Sequence, residues 1–413
     1  MRLSRFAYAA IVASCLTGTG LADWPQYRGP NGDGKIAESL ATPSGVELNV
    51  EWSAKTPLGF SSFAVADGSA FTIVVKDNSE TVVSLDAKNG NEQWEYRMGT
   101  NDYGHGGGDA GAPGNRGGDG PRSTPTISDG KVYIYDSHLV LHCLDAQSGD
   151  LQWKHDIVAE YAGKNIKWLN ATSPIVDGDR VFVSGGGEGQ SFLAFDKTNG
   201  ELIWKTGSET ITHATPVLAT IEGKKQLINF VQSGLVSLDA ETGEELWRTI
   251  FRFSVSTAAS PVVNGSNVYC SAGYSVGAGY FKVVNNSAVE DIWVQENKLM
   301  NHWSTPVVHN GHLYGIFEFK KYGRAPLKCV DLKTGEIVWS ESGFGPGNCI
   351  LVGEKLVVLS DAGEVAIVNA TTDGYQELAR KDVLDGKCWS TPAYSDGRIF
   401  VRSTEEAACI SLQ

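Results

Sequence analysis

Methionine, cationic residues and helix-forming runs are scarce in this sequence. Only three of its 413 residues are Met, whereas 48 are Gly, and charged residues make up 20%, below the usual quarter. Abundant glycine without helical apolar stripes predicts many short strands. The 34 Lys and Arg are outnumbered by 48 Asp and Glu, and the net charge of −14 argues against capture of nucleic acid or anionic lipid through charge. The 41% of hydrophobic residues excludes disorder over most of the chain.

No apolar run is long enough to span a bilayer. The apolar stretch from Phe6 to Leu16 follows two arginines and has the length of the central part of a secretory leader. We expect residues 1–22 to be a signal peptide that is removed after Ala22. The alternative is a lipoprotein leader, which would leave a lipid anchor at Cys15. Both readings predict a secreted or periplasmic protein of the cell envelope.

Cysteine is sparse, and no two cysteines are adjacent. Six of the seven follow the leader. Three of them occupy the same place in different units of the repeat described below, so they cannot pair with one another. These three and a fourth are expected to be small buried hydrophobes: Cys143, Cys329, Cys409 and Cys270. Cys349 and Cys388 open consecutive units, and an oxidising compartment leaves a disulfide between them as an alternative.

One phrase recurs along the chain: an Asp, a turn that ends at Gly four residues later, and a Trp after four more. The Asp and the Gly favour a tight turn, and the Trp offers a large apolar surface. Successive Trp residues from Trp52 to Trp339 are 42 to 59 residues apart, and Leu378 takes the equivalent place in the next unit. This period is typical of a four-stranded propeller blade. The copies are Asp86, Gly90 and Trp94; Asp145, Gly149 and Trp153; Asp196, Gly200 and Trp204; Asp239, Gly243 and Trp247; and Asp331, Gly335 and Trp339.

A second phrase opens the units: Ser or Thr, then Pro, then Asp-Gly or Asn-Gly a few residues later. Pro is tolerated at the first residue of a strand, and Asp-Gly or Asn-Gly supplies the positive φ angles of a tight hairpin. Full copies begin at Thr124, Ser173, Ser260, Thr305 and Thr391, Thr215 begins a degenerate copy, and Asp67 belongs to a copy without Pro.

Counting both phrases gives eight units. The eighth lacks its Trp strand, whereas the segment around Trp52 resembles such a strand with no unit in front of it. The sequence therefore predicts an all-β fold, a single eight-bladed β-propeller of four-stranded antiparallel blades whose ring is closed by the N-terminal strand near Trp52. It would occupy residues 50–413, after an extended segment over residues 23–49, and would carry an insertion loop at residues 99–121.

These phrases resemble the tryptophan-docking repeat of the PQQ-like, quinoprotein-type propeller family, and the likeness covers nearly all of residues 50–413. The segment DWPQYRGP at residues 23–30 is similar to the opening of secreted bacterial members. The resemblance implies that each Trp packs between adjacent blades against the turn of the repeat. The docking residues would be Trp94, Trp153, Trp204, Trp247, Trp293 and Trp339. Such a motif is specific for the fold and far less so for the function.

Two functional classes occur in this family. Quinoprotein dehydrogenases bind pyrroloquinoline quinone (PQQ) and calcium on the propeller axis, with an adjacent Cys pair and a stacking Trp around the cofactor. This sequence has no adjacent Cys pair, and no segment matches those ligands. It is more similar to the non-enzymatic, BamB-like branch, whose members have eight blades and act as binding scaffolds without a cofactor.

Other motifs of enzymes occur in unsuitable surroundings. The run GYSVG at residues 273–277 matches a nucleophile elbow but lies in a strand-rich unit, and the glycine-rich run at residues 106–111 has no βαβ unit around it. The insertion at residues 99–121 has 10 Gly in 23 residues, and its scattered Asp and His leave two readings open, a mobile surface loop or a cation site. No zinc spacing, no paired carboxylates and no triad order stand out, so no metal ligand and no catalytic residue is assigned.

The residues just before each inner strand should meet at one mouth of the central channel, because the inner strands all begin at the same end. Three Trp and two His in this set would suit a planar or sugar-like ligand through stacking and hydrogen bonds. The alternative is that the rings only plug the channel. The candidate ligand-binding residues are Arg122, Trp168, Asn170, His213, His302, Trp303 and Trp389, with Ser256 in the same ring.

The sequence thus predicts an extracytoplasmic, non-catalytic propeller scaffold that binds a protein, peptide or glycan partner and is a monomer. No cofactor is expected. The alternative is an oxidoreductase that depends on PQQ with calcium or on another axial cofactor.

Overall fold

Eight β-sheets arranged around one axis make up the protein. The computed structural model describes residues 23–103, 120–254, 257–318 and 325–413. Each sheet is an antiparallel meander, and the inner strands of neighbouring sheets contact one another around the axis. The predicted all-β, eight-bladed propeller is confirmed. The leader at residues 1–22, Ser256 and most of the predicted insertion loop lie outside the described residues.

Strands are numbered along the chain, and each blade is given from its inner to its outer strand. Two strands precede the first blade, β1 (Lys35–Ile36) and β2 (Leu48–Lys55). Blade 1 consists of β3 (Ala64–Ala66), β4 (Ser69–Lys76), β5 (Ser79–Asp86) and β6 (Glu92–Thr100). Blade 2 consists of β7 (Thr126–Ser128), β8 (Lys131–Tyr135), β9 (Val140–Asp145) and β10 (Leu151–Asp156), followed by the helix α1 (Ile157–Tyr161). Blade 3 consists of β11 (Ile175–Asp177), β12 (Arg180–Ser184), β13 (Gly187–Asp196) and β14 (Leu202–Glu209).

The remaining blades follow the same order. Blade 4 consists of β15 (Val217–Ile221), β16 (Lys224–Val231), β17 (Gly234–Asp239) and β18 (Glu245–Arg248), and blade 5 of β19 (Val262–Asn264), β20 (Asn267–Ala272), β21 (Gly277–Val284) and β22 (Ala288–Glu296). Blade 6 consists of β23 (Val307–His309), β24 (His312–Ile316), β25 (Leu327–Asp331) and β26 (Ile337–Glu341), and blade 7 of β27 (Asn348–Val352), β28 (Lys355–Leu359), β29 (Glu364–Asn369) and β30 (Glu377–Asp382). Blade 8 contains β31 (Ala393–Ser395), β32 (Arg398–Arg402) and β33 (Glu406–Leu412).

The ring closes where the sequence predicts. Strand β2 pairs antiparallel with β33 as the outer strand of blade 8, with Trp52 opposite Cys409. The joint therefore unites the two ends of the described chain and leaves no unpaired edge on β33. One detail departs from the four-stranded pattern: β1 adds a parallel fifth strand to blade 7, with Lys35 opposite Leu351.

The Asp-Gly pairs form the inner hairpins. Asp67 and Gly68 both have positive φ, 51° and 79°, as do Asp129 and Gly130, at 49° and 71°. Two successive positive φ angles define the tight turn whose twist matches that of the flanking strands. These turns fix the register of the two inner strands in blades 1 and 2.

Most of the recurring Trp residues dock on the turn of the next blade, as Trp94 illustrates. Its Nε1 donates to the carbonyl oxygen of Ala146 at 3.0 Å. The Asp145 carboxylate accepts the N–H groups of the two residues that follow Ala146 and so shapes the turn. A Cβ at Gly149 would lie 2.7 Å from the Trp94 ring, so the close approach of ring and backbone requires glycine there.

The indole hydrogen bond recurs around most of the ring. Four further Nε1 groups donate to a turn carbonyl of the next blade: Trp52 to Ala87, Trp204 to Ala240, Trp293 to Leu332 and Trp339 to Thr371. Trp247 differs, because the turn of blade 5 lacks the Asp and Gly of the phrase. Its Nε1 donates to Gln226 Oε1 in its own blade at 2.7 Å, and Gln226 Nε2 donates to Asn286 Oδ1 in blade 5 at 2.6 Å.

The apolar cores lie between neighbouring blades, and the cysteines belong to them. All six described cysteines are buried free thiols. Cys349 packs with residues of blades 6 and 7, whereas Cys388 packs with residues of blades 7, 8 and 1. They therefore lie in different cores, and the disulfide that the sequence left as an alternative is not formed.

Within the described residues, no helix is both long and apolar enough to cross a bilayer.

Candidate functional site

The channel on the propeller axis has two unlike ends because every blade is a meander. The loops that lead from an outer strand to the next inner strand lie at one end, which we call the loop-side mouth. The hairpins that follow the inner strands, such as the one at Asp67 and Gly68, lie at the other end, the hairpin side. The predicted candidate residues precede the inner strands and so belong to the loop-side mouth.

Residues 24–36 fill the channel from the hairpin side, and we call them the axial plug. Trp24 exchanges two backbone hydrogen bonds of 2.8 Å with Val65 of β3, and β1 pairs with β27. The carbonyl oxygen of Pro25 accepts the N–H of Ile127 in β7 at 2.7 Å. The Trp24 side chain is 1% exposed. The plug thus ties together the inner strands of blades 1, 2 and 7.

Arg28 anchors the plug to blade 6. It is 2% exposed, and its guanidinium donates to the carbonyl oxygens of Thr305 at 2.8 Å, Pro306 at 2.9 Å and Asp33 at 3.0 Å. A Cβ at Gly34, where φ is 77°, would lie 2.6 Å from Nη2, so the absence of a side chain there makes room for the guanidinium. The plug therefore reaches the level at which the inner strand of blade 6 begins.

Hydroxyl groups form a hydrogen-bonded belt around the channel at that level. Each accepts the backbone N–H of the equivalent residue in the preceding blade, so the belt fastens inner strand to inner strand. Its bonds are Thr391 N–H to Ser62 Oγ (2.8 Å), Ser62 N–H to Thr124 Oγ1 (3.2 Å), Thr124 N–H to Ser173 Oγ (2.9 Å), Ser173 N–H to Thr215 Oγ1 (3.0 Å) and Ser260 N–H to Thr305 Oγ1 (3.0 Å). This belt explains why Ser or Thr precedes Pro in the second phrase.

Aromatic rings cover one side of the loop-side mouth. Trp303 stacks on Trp389 with ring centroids 4.2 Å apart, and Trp389 stacks on Phe60 at 4.7 Å. His302 packs edge-on against Trp303 at 5.1 Å and against Tyr274 at 5.1 Å, and the Tyr274 ring is 45% exposed. The structure thus brings three predicted residues, His302, Trp303 and Trp389, into one cluster. Trp303 and Trp389 are half-buried and Tyr274 is exposed, so these three rings offer the accessible surface of the cluster.

The other predicted residues lie across the mouth on blades 2 to 4. Arg122 Nη1 donates to the carbonyl oxygen of Trp168 at 3.2 Å, and His213 Nε2 donates to that of Leu169 at 2.8 Å. The Trp168 and His213 rings are 6.5 Å apart. Burial is the main cause that lowers the pKa of His213 to about 3, with Arg122 adding to it, and burial lowers the pKa of His302 to about 4. Both imidazoles are therefore neutral at pH 7.

Asn170 has a different role from the one predicted. It is 1% exposed, and its Nδ2 donates to the backbone carbonyl oxygens of Tyr135, Asp136 and Thr172. Its Oδ1 accepts the N–H and the hydroxyl of Thr172. The amide thus fastens its own loop to the turn between β8 and β9.

The candidate residues do not fit a calcium and quinone pair. Calcium takes six to eight oxygen ligands. Among the seven candidates only Asn170 carries a side-chain oxygen, and that oxygen accepts from Thr172. The others supply nitrogen atoms and rings. We therefore derive no reaction step through such a cofactor.

Sequence reasoning missed five participants of the mouth, Tyr274 and four others. Lys167 lies over the Trp168 ring at 5.2 Å, Lys387 lies over the Trp389 ring at 4.8 Å, and Arg122 lies over the ring of Tyr103 at 5.2 Å. The Tyr103 hydroxyl donates to Glu80 Oε1 at 2.5 Å. The two lysines come one or two residues before a predicted Trp, which was a usable signal. Phe60 precedes an inner strand that lacks the Pro phrase, and for that reason it was passed over.

Comparisons with known proteins agree with this architecture. A sequence model of the family described as "Outer membrane protein assembly factor BamB" matches residues 78–341. BamB of Shewanella oneidensis is 21% identical over 293 residues, which span 67% of this chain and 70% of that protein.

Solved structures share the fold. The crystal structure of BamB from Moraxella catarrhalis superposes with a TM-score of 0.62 at 16% identity, covering 88% of this chain and 97% of that one. A quinohemoprotein alcohol dehydrogenase from Comamonas testosteroni superposes with a TM-score of 0.68 at 13% identity, covering 94% of this chain and 80% of that one. Likeness at such identities shows a common fold and leaves the function to be argued from the site.

Proposed function

Because this chain belongs to the family of the outer membrane protein assembly factor BamB, we propose that it is an extracytoplasmic, non-catalytic scaffold that binds a protein partner during outer membrane protein assembly. The predicted leader at residues 1–22 supports a place in the cell envelope, with cleavage after Ala22 or lipidation of Cys15 as the two routes. No cofactor is part of this proposal.

The observation that carries the proposal is a pair of outer strands on adjacent blades, each of which has two exposed apolar side chains. On β22, Ile292 and Val294 are 38% and 47% exposed. On β26, Ile337 and Val338 are 49% and 42% exposed. Outer strands also present unpaired backbone groups, which can bind a strand or loop of another protein. We call this pair of strands the lateral surface.

Charge on the lateral surface indicates the kind of partner. Glu290, Asp291 and Glu296 on β22 are exposed, and Glu336 directly before β26 is exposed as well. A partner segment that combines apolar side chains with Lys or Arg would complement these strands. The net charge of −14 favours the same kind of partner over an acidic one.

Site-specific crosslinking in the native host tests the proposal. A photoreactive phenylalanine analogue is placed at Val294 or Ile337, and adducts are identified by mass spectrometry. We expect covalent adducts with a protein of the outer membrane assembly machinery. The matched control carries the analogue at Ile250, which is 81% exposed in the loop between blades 4 and 5 and lies outside the lateral surface.

Two results would count against the scaffold. One is the absence of adducts from both lateral positions in cells that contain the folded protein. The other is an equal yield from Ile250, which would show unspecific encounter rather than docking on the lateral surface.

A further inference from the structure

A collar of cations and aromatic rings surrounds the loop-side mouth. Three side-chain pairs form it: Arg122 over Tyr103 at 5.2 Å, Lys167 over Trp168 at 5.2 Å, and Lys387 over Trp389 at 4.8 Å. They stand on the loops that lead into blades 2, 3 and 8. We propose that this collar binds an acidic sugar, a hexuronic acid unit of a glycan, which goes beyond the protein-binding scaffold proposed above.

The rings provide the apolar part of such a site. One face of a pyranose carries axial C–H groups that pack on an indole or phenol ring, and aromatic side chains recur in pockets for this reason. Trp303 and Tyr274 offer partly open rings on one side of the mouth, and Trp168 offers one on the other. The Trp303 ring is fixed in place, because its Nε1 donates to the carbonyl oxygen of Pro346 at 2.6 Å and its face stacks on Trp389.

The cations provide the part that selects an acid. His213 and His302 are neutral at pH 7, so the cations of the mouth in the part of the chain that the structure describes are Arg122, Lys167 and Lys387. The nearby carboxylate of Glu80 is fully buried behind Tyr103 and is engaged by its hydroxyl and by the N–H of Ser137. A chain of net charge −14 thus carries a cationic and aromatic mouth, which complements a carboxylate on a ring-shaped ligand.

The axial plug lies directly below this mouth. Arg28 reaches from the hairpin side to the carbonyl oxygen of Thr305, and Thr305 belongs to the hydroxyl belt directly below the mouth. We expect a ligand held by the collar to rest on the belt, because the plug occupies the axis below it. Such a floor suits capture of one or a few sugar units, for example at the end of a glycan chain.

Calorimetric titration of the mature protein with a tetramer of galacturonic acid tests the proposal. We expect binding that weakens as salt is raised, and no comparable binding of a neutral galactose tetramer or of tetraglutamate. Lys387→Met and Trp303→Ala should each weaken binding of the acidic tetramer at least tenfold. Arg380→Met is the matched control, since Arg380 lies over the Phe344 ring at 4.5 Å outside the collar, and it should leave the affinity unchanged.

Each contrary outcome has a defined meaning. Absence of binding to the parent protein, equal binding of the neutral tetramer, or preference for tetraglutamate would overturn the acidic-sugar assignment. Unchanged affinity in Lys387→Met would overturn the assignment to the collar. This result decides the question even if Trp303→Ala failed to fold. Crosslinking at the lateral surface is independent of these residues, so failure of this inference and failure of the scaffold proposal can be told apart.

Discussion

The guanidinium Nη1 of Arg402 lies 2.6 Å from the carbonyl oxygen of Ile73, and this bond joins the last blade to the first. The same side chain donates to the carbonyl oxygens of Thr56 and Leu58, and it is 1% exposed. Only neutral oxygens surround the charge among these contacts. Burial lowers the pKa of Arg402 to about 9, so the group stays charged at pH 7 and serves as a clamp across the ring closure.

Replacement of this clamp should destabilise the fold strongly. Arg402→Met leaves several buried carbonyl groups without donors, and we expect a loss of about 3–5 kcal/mol in the free energy of unfolding. Arg398→Met, on the same strand, removes partly exposed ion pairs with Glu51 and Asp396 and should cost about 1 kcal/mol or less. Urea denaturation of both variants measures the difference. Equal midpoints would show that Arg402 is no clamp.

The indole hydrogen bonds between blades can be measured in the same way. Trp94 donates to Ala146, whereas Trp153 Nε1 has no partner among the described residues. Trp94→Phe should therefore reduce the free energy of unfolding by about 1 kcal/mol more than Trp153→Phe does. A larger loss for Trp153→Phe would contradict the assignment.

Loosening of the axial plug should be local. Arg28→Met removes two hydrogen bonds between the plug and blade 6 and one within the plug, and we expect faster amide hydrogen exchange over residues 24–36 with little change in β32 and β33. Gln26→Ala serves as the control, because its side chain makes one exposed bond to Pro30. Uniformly faster exchange in all blades would mean that Arg28 holds the whole ring rather than the plug.

Stability should fall on acidification through the mouth histidines. Their folded pKa values are about 3 for His213 and about 4 for His302, below the ordinary value of 6.5. Between pH 6.5 and 4 the unfolded chain therefore binds more protons than the folded one, and stability is lost as the pH falls, by up to about 1.4 kcal/mol per pH unit for each residue. The double variant His213→Asn with His302→Asn should show a flatter fall of melting temperature between pH 7.5 and 5. An unchanged slope would refute this role.

Closure of the ring predicts the effect of N-terminal deletions. Removal of residues 23–55 takes away both the plug and β2, exposes β33 as a sheet edge, and should produce a protein that melts far lower and aggregates. The matched control lacks residues 23–36 only and keeps β2, so it should remain soluble with a smaller loss. Similar melting of the longer deletion and the parent would contradict the pairing of Trp52 with Cys409.

The blades were predictable because their information is local and repeated. Asp145, Gly149 and Trp153 lie within nine residues and specify a turn and a docking surface together. Eight repeated units leave few alternatives to a closed ring. The strand at Trp52, which has no unit in front of it, indicates where the ring closes. The Ser or Thr before Pro was visible as well, although its purpose as a belt depends on the neighbouring blade.

The plug and the finer features of the mouth depend on contacts between distant residues. Arg28 meets Thr305 across 277 positions, and nothing near Arg28 in the sequence indicates those carbonyl groups. Asn170 was selected by its place before an inner strand, but its own loop engages its amide. The sequence left a disulfide between Cys349 and Cys388 open, because the core that each thiol enters depends on the neighbouring blade.

The joint between β2 and β33 also has a consequence for how the chain comes to be folded. Residues 48–55 leave the ribosome or an export channel long before their partner strand, which ends at Leu412. Until the last residues emerge, the first strand has nothing to pair with, and contacts of such sequence separation form slowly. The ring is therefore complete only after β33 has been synthesised. A product truncated before β33 would expose an unfinished blade to proteases and chaperones.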